Sequence, residues 1–254
     1  MTALLEGVQT GLWGAFLVFL RTGSALMVLP VFGERMVPVR VRLLISLGLT
    51  AIVAPAVLGT VRIPGASVGA LALCLGTETV SGLAIGLSLR LFVLALQTAG
   101  SIAAQSTSLS QLFGGNVTDP LPAVGHILTV AGMALLVMTG LHVKAAAYFI
   151  FSYRMLPLAS FPDGAMLSNW GQAHINQMFG LAFTLAAPFI ILSILYNLTL
   201  GVINKAMPQL MVAFVGAPVI TFGTIALLFF AAPVLLTVWV QAFDHFLTNP
   251  FGMP

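Results

Sequence analysis

Charge is what this sequence has least of. Asp, Glu, Lys and Arg make up 6% of its 254 residues, where a soluble domain carries about 25%. Nine Lys/Arg and six Asp/Glu cannot coat a globule of this size, so part of its solvent must be lipid or other apolar protein. The cations are scattered as well. A formal charge of +3 and a pI near 9.5 arise without any Lys/Arg run, so nothing points to nucleic acid. Cysteine is almost absent too: the single Cys74 excludes an intramolecular disulfide and reads as a small buried hydrophobe. The N-terminus lacks a basic run, and Arg21 interrupts the first apolar stretch, so no cleavable signal peptide is expected.

What is abundant is apolar surface. Residues of the AVILMFWYC set make up 59% of the chain and the mean hydropathy is +1.10. The composition is that of an integral membrane protein. A spanning helix needs about 20 apolar residues, because the hydrocarbon core is about 30 Å thick and each residue rises about 1.5 Å. Candidate apolar runs lie near residues 12–32, 43–58, 67–97, 124–143, 178–203 and 210–243. The fourth could continue past Lys144 through 145–151, and Pro218 and Pro233 are expected to kink or break the last. Proline-containing links separate the runs, at Pro38, Pro64, Pro120-Leu121-Pro122, Pro162 and Pro208. The one extended polar stretch is 100–122. These features predict an all-α, polytopic helical membrane protein with about six long, partly broken hydrophobic helices.

The connection 33–42 holds Arg35, Arg40 and Arg42 against Glu34 and is expected on the cytoplasmic side. Alternation then puts both termini outside and Lys205 inside, and leaves Arg62 and Lys144 outside against the trend.

Arg21, Glu78 and Arg90 stand in otherwise apolar helices. A charge at the helix centre costs at least about 2.5–3.5 kcal/mol, so each is expected to be buried against protein or water with a partner. A proton or ion path would show several acids in register, whereas Glu78 stands almost alone; ion pairing, for instance Arg21 with Glu78, is the favoured reading. Gly82-x-x-x-Gly86 offers a face without side-chain bulk for close helix approach. Gly65-Ala66-Ser67-Val68-Gly69 matches a nucleophile elbow, but it lacks the preceding strand that the elbow needs. A Ser–His dyad with His126, His142 or His174 as base is disfavoured. These three and His245 show no metal-ligand spacing, and no P-loop or dinucleotide fingerprint is present. No catalytic residue, cofactor or metal is therefore expected. Asn116-Val117-Thr118 fits a glycosylation acceptor, and Trp239 is placed to serve as a membrane-interface anchor.

Three stretches carry a family resemblance. One is Phe19-Leu20-Arg21-Thr22-Gly23 through Leu29-Pro30-Val31-Phe32-Gly33-Glu34 to Val37-Pro38-Val39-Arg40-Val41-Arg42. The second is 114–122 with Asp119-Pro120. The third is Asn197-Leu198-Thr199-Leu200-Gly201-Val202-Ile203-Asn204-Lys205-Ala206-Met207-Pro208-Gln209-Leu210, followed by Val215-Gly216-Ala217-Pro218. Together they resemble the FliR family of flagellar type III export-gate proteins, whose injectisome counterpart is SctT. The resemblance implies a non-enzymatic inner-membrane protein of the flagellar basal body. It would join FliP-like, FliQ-like and FlhB-like subunits to form the path for unfolded flagellar substrates. It further implies a FliP-like part over 1–177, including a plug loop near 106–122 built on Leu112, Phe113, Gly114 and Gly115. A FliQ-like hairpin and tail would follow over 178–254, turning at Lys205, Met207, Pro208 and Gln209. The alternative from another class is an ion-coupled secondary transporter; the paired, similarly interrupted helices it would show in two halves are not seen.

Overall fold

A computed structural model describes residues 2–59, 67–107, 123–207 and 212–248. Among the described residues every regular element is an α-helix: α1 (Thr2–Val28), α2 (Val39–Leu58), α3 (Val68–Thr107), α4 (Ala123–Met138), α5 (Leu141–Met155), α6 (Gly164–Ala206) and α7 (Val212–Thr248). Five of them are long and apolar enough to cross a membrane, and a sixth span results if α4 and α5 are taken together. The chain is a polytopic helical membrane protein.

Helix boundaries follow local chemistry. Pro38 sits just before α2, with its fixed φ ready for entry. The Ser67 hydroxyl accepts from the Ala70 amide at 3.1 Å, which makes Ser67 the N-cap of α3. Asp163 caps α6 through the Ala165 amide at 3.2 Å. Between α4 and α5 the axis turns by 74° at Gly140, whose φ of +81° a side-chain-bearing residue adopts only with strain. The fourth apolar run is therefore two helices rather than one continuing past Lys144.

Three further expectations need correction. Helix α3 runs to Thr107, ten residues past its expected end, so the polar stretch from Gly100 begins as helix. Helix α6 begins at Gly164, well before residue 178. Helix α7 continues through Pro218 and Pro233, so of the kink or break expected there it is the break that does not occur. In apolar surroundings, ending a helix would leave several backbone groups with no water to bond, whereas a proline in its interior removes one hydrogen bond.

The chain divides into two compact units. The first comprises residues 1–91, 136–175 and 245–254, and the second comprises 92–135 and 176–244. In the first unit α1 packs against α2, α2 against α5, and the start of α3 beside α1. In the second, the end of α3, most of α4 and the antiparallel α6–α7 hairpin build a separate core around Trp239, Phe92, Phe189 and Phe243.

Candidate functional site

In the first unit, α1 and α3 run side by side in parallel at backbone contact. A Cβ added to Gly82 would lie 2.3 Å from the Arg21 carbonyl oxygen, and one on Gly86 would lie 2.6 Å from that of Ala25. The spacing of four residues on both helices keeps the contact in phase over a full turn. That approach brings together two side chains that neither helix could bury alone. The Arg21 guanidinium donates through Nε to Glu78 Oε2 at 2.8 Å and through Nη2 to Oε1 at 3.2 Å, a two-pronged pair with both side chains fully buried.

The rest of the guanidinium is also engaged. Its Nη1 donates to the Ser152 hydroxyl at 3.3 Å, and its plane lies 3.7 Å over the Tyr153 ring, both from the last turn of α5. Glu78 Oε1 accepts additionally from the Ala159 amide at 3.1 Å. Ala159 has φ +60°, a left-handed conformation uncommon for a residue with a Cβ. One buried ion pair thus fastens α1, α3, α5 and the connection that follows α5. Ser152, Tyr153 and Ala159 escaped sequence reading. The signal was the polar Ser152-Tyr153-Arg154 at the end of an apolar run, which offers partners to a charge buried elsewhere.

Arg90 departs from its expected state. It is about a quarter exposed and pairs with Glu34 in the connection between α1 and α2. Three turns beyond Glu78, α3 has reached the end of α1, where that connection lies. Arg42 turns back onto the same connection, donating to the carbonyls of Phe32 at 3.2 Å and Glu34 at 3.1 Å. The Glu34 carbonyl also accepts from the Val37 amide at 3.0 Å, so Arg42 reinforces a turn that is already hydrogen-bonded. Of the cations counted there for orientation, Arg35 and Arg40 are the exposed ones.

Because the α1–α3 contact sets the distance across which Arg21 reaches Glu78, Gly86→Leu is expected to act as strongly as loss of the pair itself. The Leu side chain would meet main chain, which cannot swing aside. Yield of membrane-inserted protein should fall several-fold, whereas Gly171→Leu, with open space around the position, should leave it within error. Equal yields of the two variants would contradict the close-packed contact.

In the second unit α3 and α4 touch at Gly100 and Gly125, where a Cβ on Gly100 would lie 2.0 Å from the Gly125 Cα. Trp239 is not a membrane-interface anchor. It is fully buried, donates its indole N–H to the Phe92 carbonyl at 2.8 Å, and stacks beside Phe243. An indole N–H buried in an apolar core needs an acceptor, and the α3 backbone supplies one. Near the end of α3, the Ser193 hydroxyl of α6 donates to the Ser106 carbonyl and accepts from Asn197 Nδ2, the latter at 3.2 Å. Along the hairpin, Tyr196 meets Gly216 and Leu192 meets Gly223. Lys205 lies in the last turn of α6, where a cation suits the helix C-terminus, and Met207 follows it, exposed.

The remaining candidates do not come together. His126, His142 and His245 are exposed, and His174 is buried edge-on between Trp170 and Phe246. No cluster of metal-ligating side chains occurs among the described residues. Ser67 is occupied as a helix cap, which is not the geometry of a nucleophile elbow. Leu112, Phe113, Gly114, Gly115, Asn116, Arg62, Pro208 and Gln209 lie outside the described residues.

Relatives share most of this chain's extent. Residues 12–246 match the family described as bacterial export proteins, family 1. A flagellar biosynthetic protein FliR of Caulobacter vibrioides is 33% identical over 92% of this chain and 94% of its own length. The Bacillus subtilis protein of the same name is 30% identical over 82% of each chain. That of Escherichia coli is 28% identical over 80% of this chain and 78% of its own. The Arg21–Glu78 pair, the glycine contacts and nearly all of the long hairpin lie within the matched region, and the chain belongs to the FliR family of bacterial export proteins.

Proposed function

We propose that this chain is a structural and gating subunit of the flagellar type III export gate, joining FliP-like and FliQ-like subunits, with an FlhB-like protein attached, around a channel for unfolded flagellar proteins in the bacterial inner membrane. Membership of the family makes it an integral membrane component of the flagellar export apparatus. The observation that supports the finer reading is a mismatch of length. Exposed large apolar side chains follow α6 from Met166 to Val202, a distance of about 54 Å at 1.5 Å per residue, against a hydrocarbon core of about 30 Å. Helix α7 carries a shorter stripe from Val219 to Val238, about 29 Å, which a bilayer could cover alone; the mismatch is that of α6. Apolar surface extending beyond the lipid needs protein to cover it, and a ring of helical subunits would do so. On this reading residues 178–254, which include most of α6 and all of α7, are the FliQ-like part, and residues 1–177 are the FliP-like part.

The segment with Leu112, Phe113, Gly114 and Gly115 is the plug of this gate in the same proposal: apolar side chains close a pore by excluding water from it. The test of function is export. A strain lacking the gene should retain flagellar subunits in the cytoplasm and be non-motile, and the gene in trans should restore secretion. Normal secretion in the deletion strain would overturn the proposal.

A further inference from the structure

The apolar spans Gly7–Val28 and Val39–Leu58 are 22 and 20 residues long, about 33 and 30 Å at 1.5 Å per residue. Each therefore crosses one hydrocarbon core, and residues 29–38 between them emerge at its surface. That connection is tightly built. Val31 has φ +70°, a left-handed conformation that a β-branched residue adopts only under strain. The Gly33 amide donates to the Leu29 carbonyl at 2.7 Å, and a Cβ on Gly33 would lie 2.7 Å from the Met27 carbonyl oxygen. Arg42 holds the turn from α2 at two carbonyls, and Arg90 holds it from α3 at the Glu34 carboxylate. Its outward side chains have nothing to hold. Met36 is 95% and Val39 77% exposed. Beside them Arg35 and Arg40 are exposed, with no hydrogen bond or ion pair among the described residues. Glu34, the one carboxylate here, is taken by Arg90, so the outward face carries positive charge only. Nor does Arg40 serve α2, since it lies in the first turn, where the helix dipole disfavours a cation.

We infer that Arg35, Met36, Val39 and Arg40 form a site for anionic phospholipid in the cytoplasmic leaflet: Met36 and Val39 enter the acyl boundary, and the two guanidiniums bind headgroup phosphates above them. An apolar tip flanked by arginines suits a bilayer surface better than an acidic protein. The apolar side chains bury among acyl chains, while each guanidinium, on its long stem, stays at headgroup level. The negative potential of the cytoplasmic leaflet supplies the complementary charge. A planar guanidinium also matches phosphate through two parallel hydrogen bonds. Because the turn is already fixed from α2 and α3, little ordering is needed when lipid binds. The inference depends on the membrane character of the chain and not on the gate.

The experiment takes the full-length chain with whatever subunits co-purify and adds phosphatidylglycerol or phosphatidylcholine. Native mass spectrometry then counts the lipids retained. The wild type should retain phosphatidylglycerol in preference. Each cation near the surface is worth about five-fold in attraction to anionic lipid, so Arg35→Gln with Arg40→Gln should cut that preference on the order of tenfold or more. Both positions are exposed, so the fold is not at stake. Arg154→Gln, which removes the exposed cation in the last turn of α5, should leave the preference unchanged. A polarity-sensitive dye on Met36→Cys, the native Cys74 being buried, should report an apolar setting in vesicles containing phosphatidylglycerol. Undiminished preference in the double variant overturns the site, as does a dye reporting bulk water. An equal loss from Arg154→Gln makes retention a matter of net charge and overturns it too. If the double variant keeps the lipid but loses a co-purified protein, the face takes a protein and the lipid site is wrong.

Discussion

Arg21→Leu is expected to abolish most of the assembled complex, at a cost of about 3–5 kcal/mol, the usual penalty for leaving one half of a buried ion pair behind. Glu78 would remain fully buried with only the Ala159 amide as partner. Co-purified FliP-like and FliQ-like subunits and motility should fall together. Arg21→Lys should be partly tolerated, since one ammonium can reach Glu78 or Ser152 but cannot reproduce the two-pronged pair or the flat contact with Tyr153. The double variant Arg21→Leu with Glu78→Leu separates charge from connectivity. Removing both charges should recover part of the loss. Recovery should stay incomplete, because the Ala159 amide loses its carboxylate acceptor in any case, while the Ser152 hydroxyl still donates to the Phe149 carbonyl. If Arg21→Leu assembles and exports normally, the pair does not fasten the unit.

The second large effect is permeability. Deleting residues 110–115, or combining Leu112→Ala with Phe113→Ala, should leave assembly intact while opening a route for ions and small molecules. Dye retention and growth in high salt are the readouts. A pore closed by apolar side chains has no covalent or charged barrier to fall back on, so removing two large side chains should be enough to wet it. A membrane as tight as wild type, with the assembled variant present, would remove Phe113 from the seal.

The sequence made part of this fold legible because lipid imposes simple arithmetic. Charges in apolar helices need partners, and Arg21 and Glu78 carry that demand in their positions alone. Gly82-x-x-x-Gly86 likewise announced a close contact, although only the structure identifies Arg21–Ala25 of α1 as its other side. Where the arithmetic depends on distant elements, reading failed. Arg90 looked buried because its neighbours are apolar, yet α3 is long enough to carry it to the connection holding Glu34. Trp239 looked interfacial because it lies near the end of an apolar run, yet its N–H is answered by a carbonyl 147 positions away. Of the kink or break that Pro218 and Pro233 predict in α7, the break is absent, because without water the helix continues. Ala159 in its left-handed conformation has no signature in the sequence.

The central claim, that this chain belongs to a multi-subunit gate rather than standing alone, is tested most directly by co-expression. An affinity tag on this chain should retrieve the FliP-like and FliQ-like proteins together as one large detergent-stable complex, and the same chain expressed without them should aggregate or be degraded. A monodisperse, stable monomer that retrieves neither protein from cells containing both would contradict it.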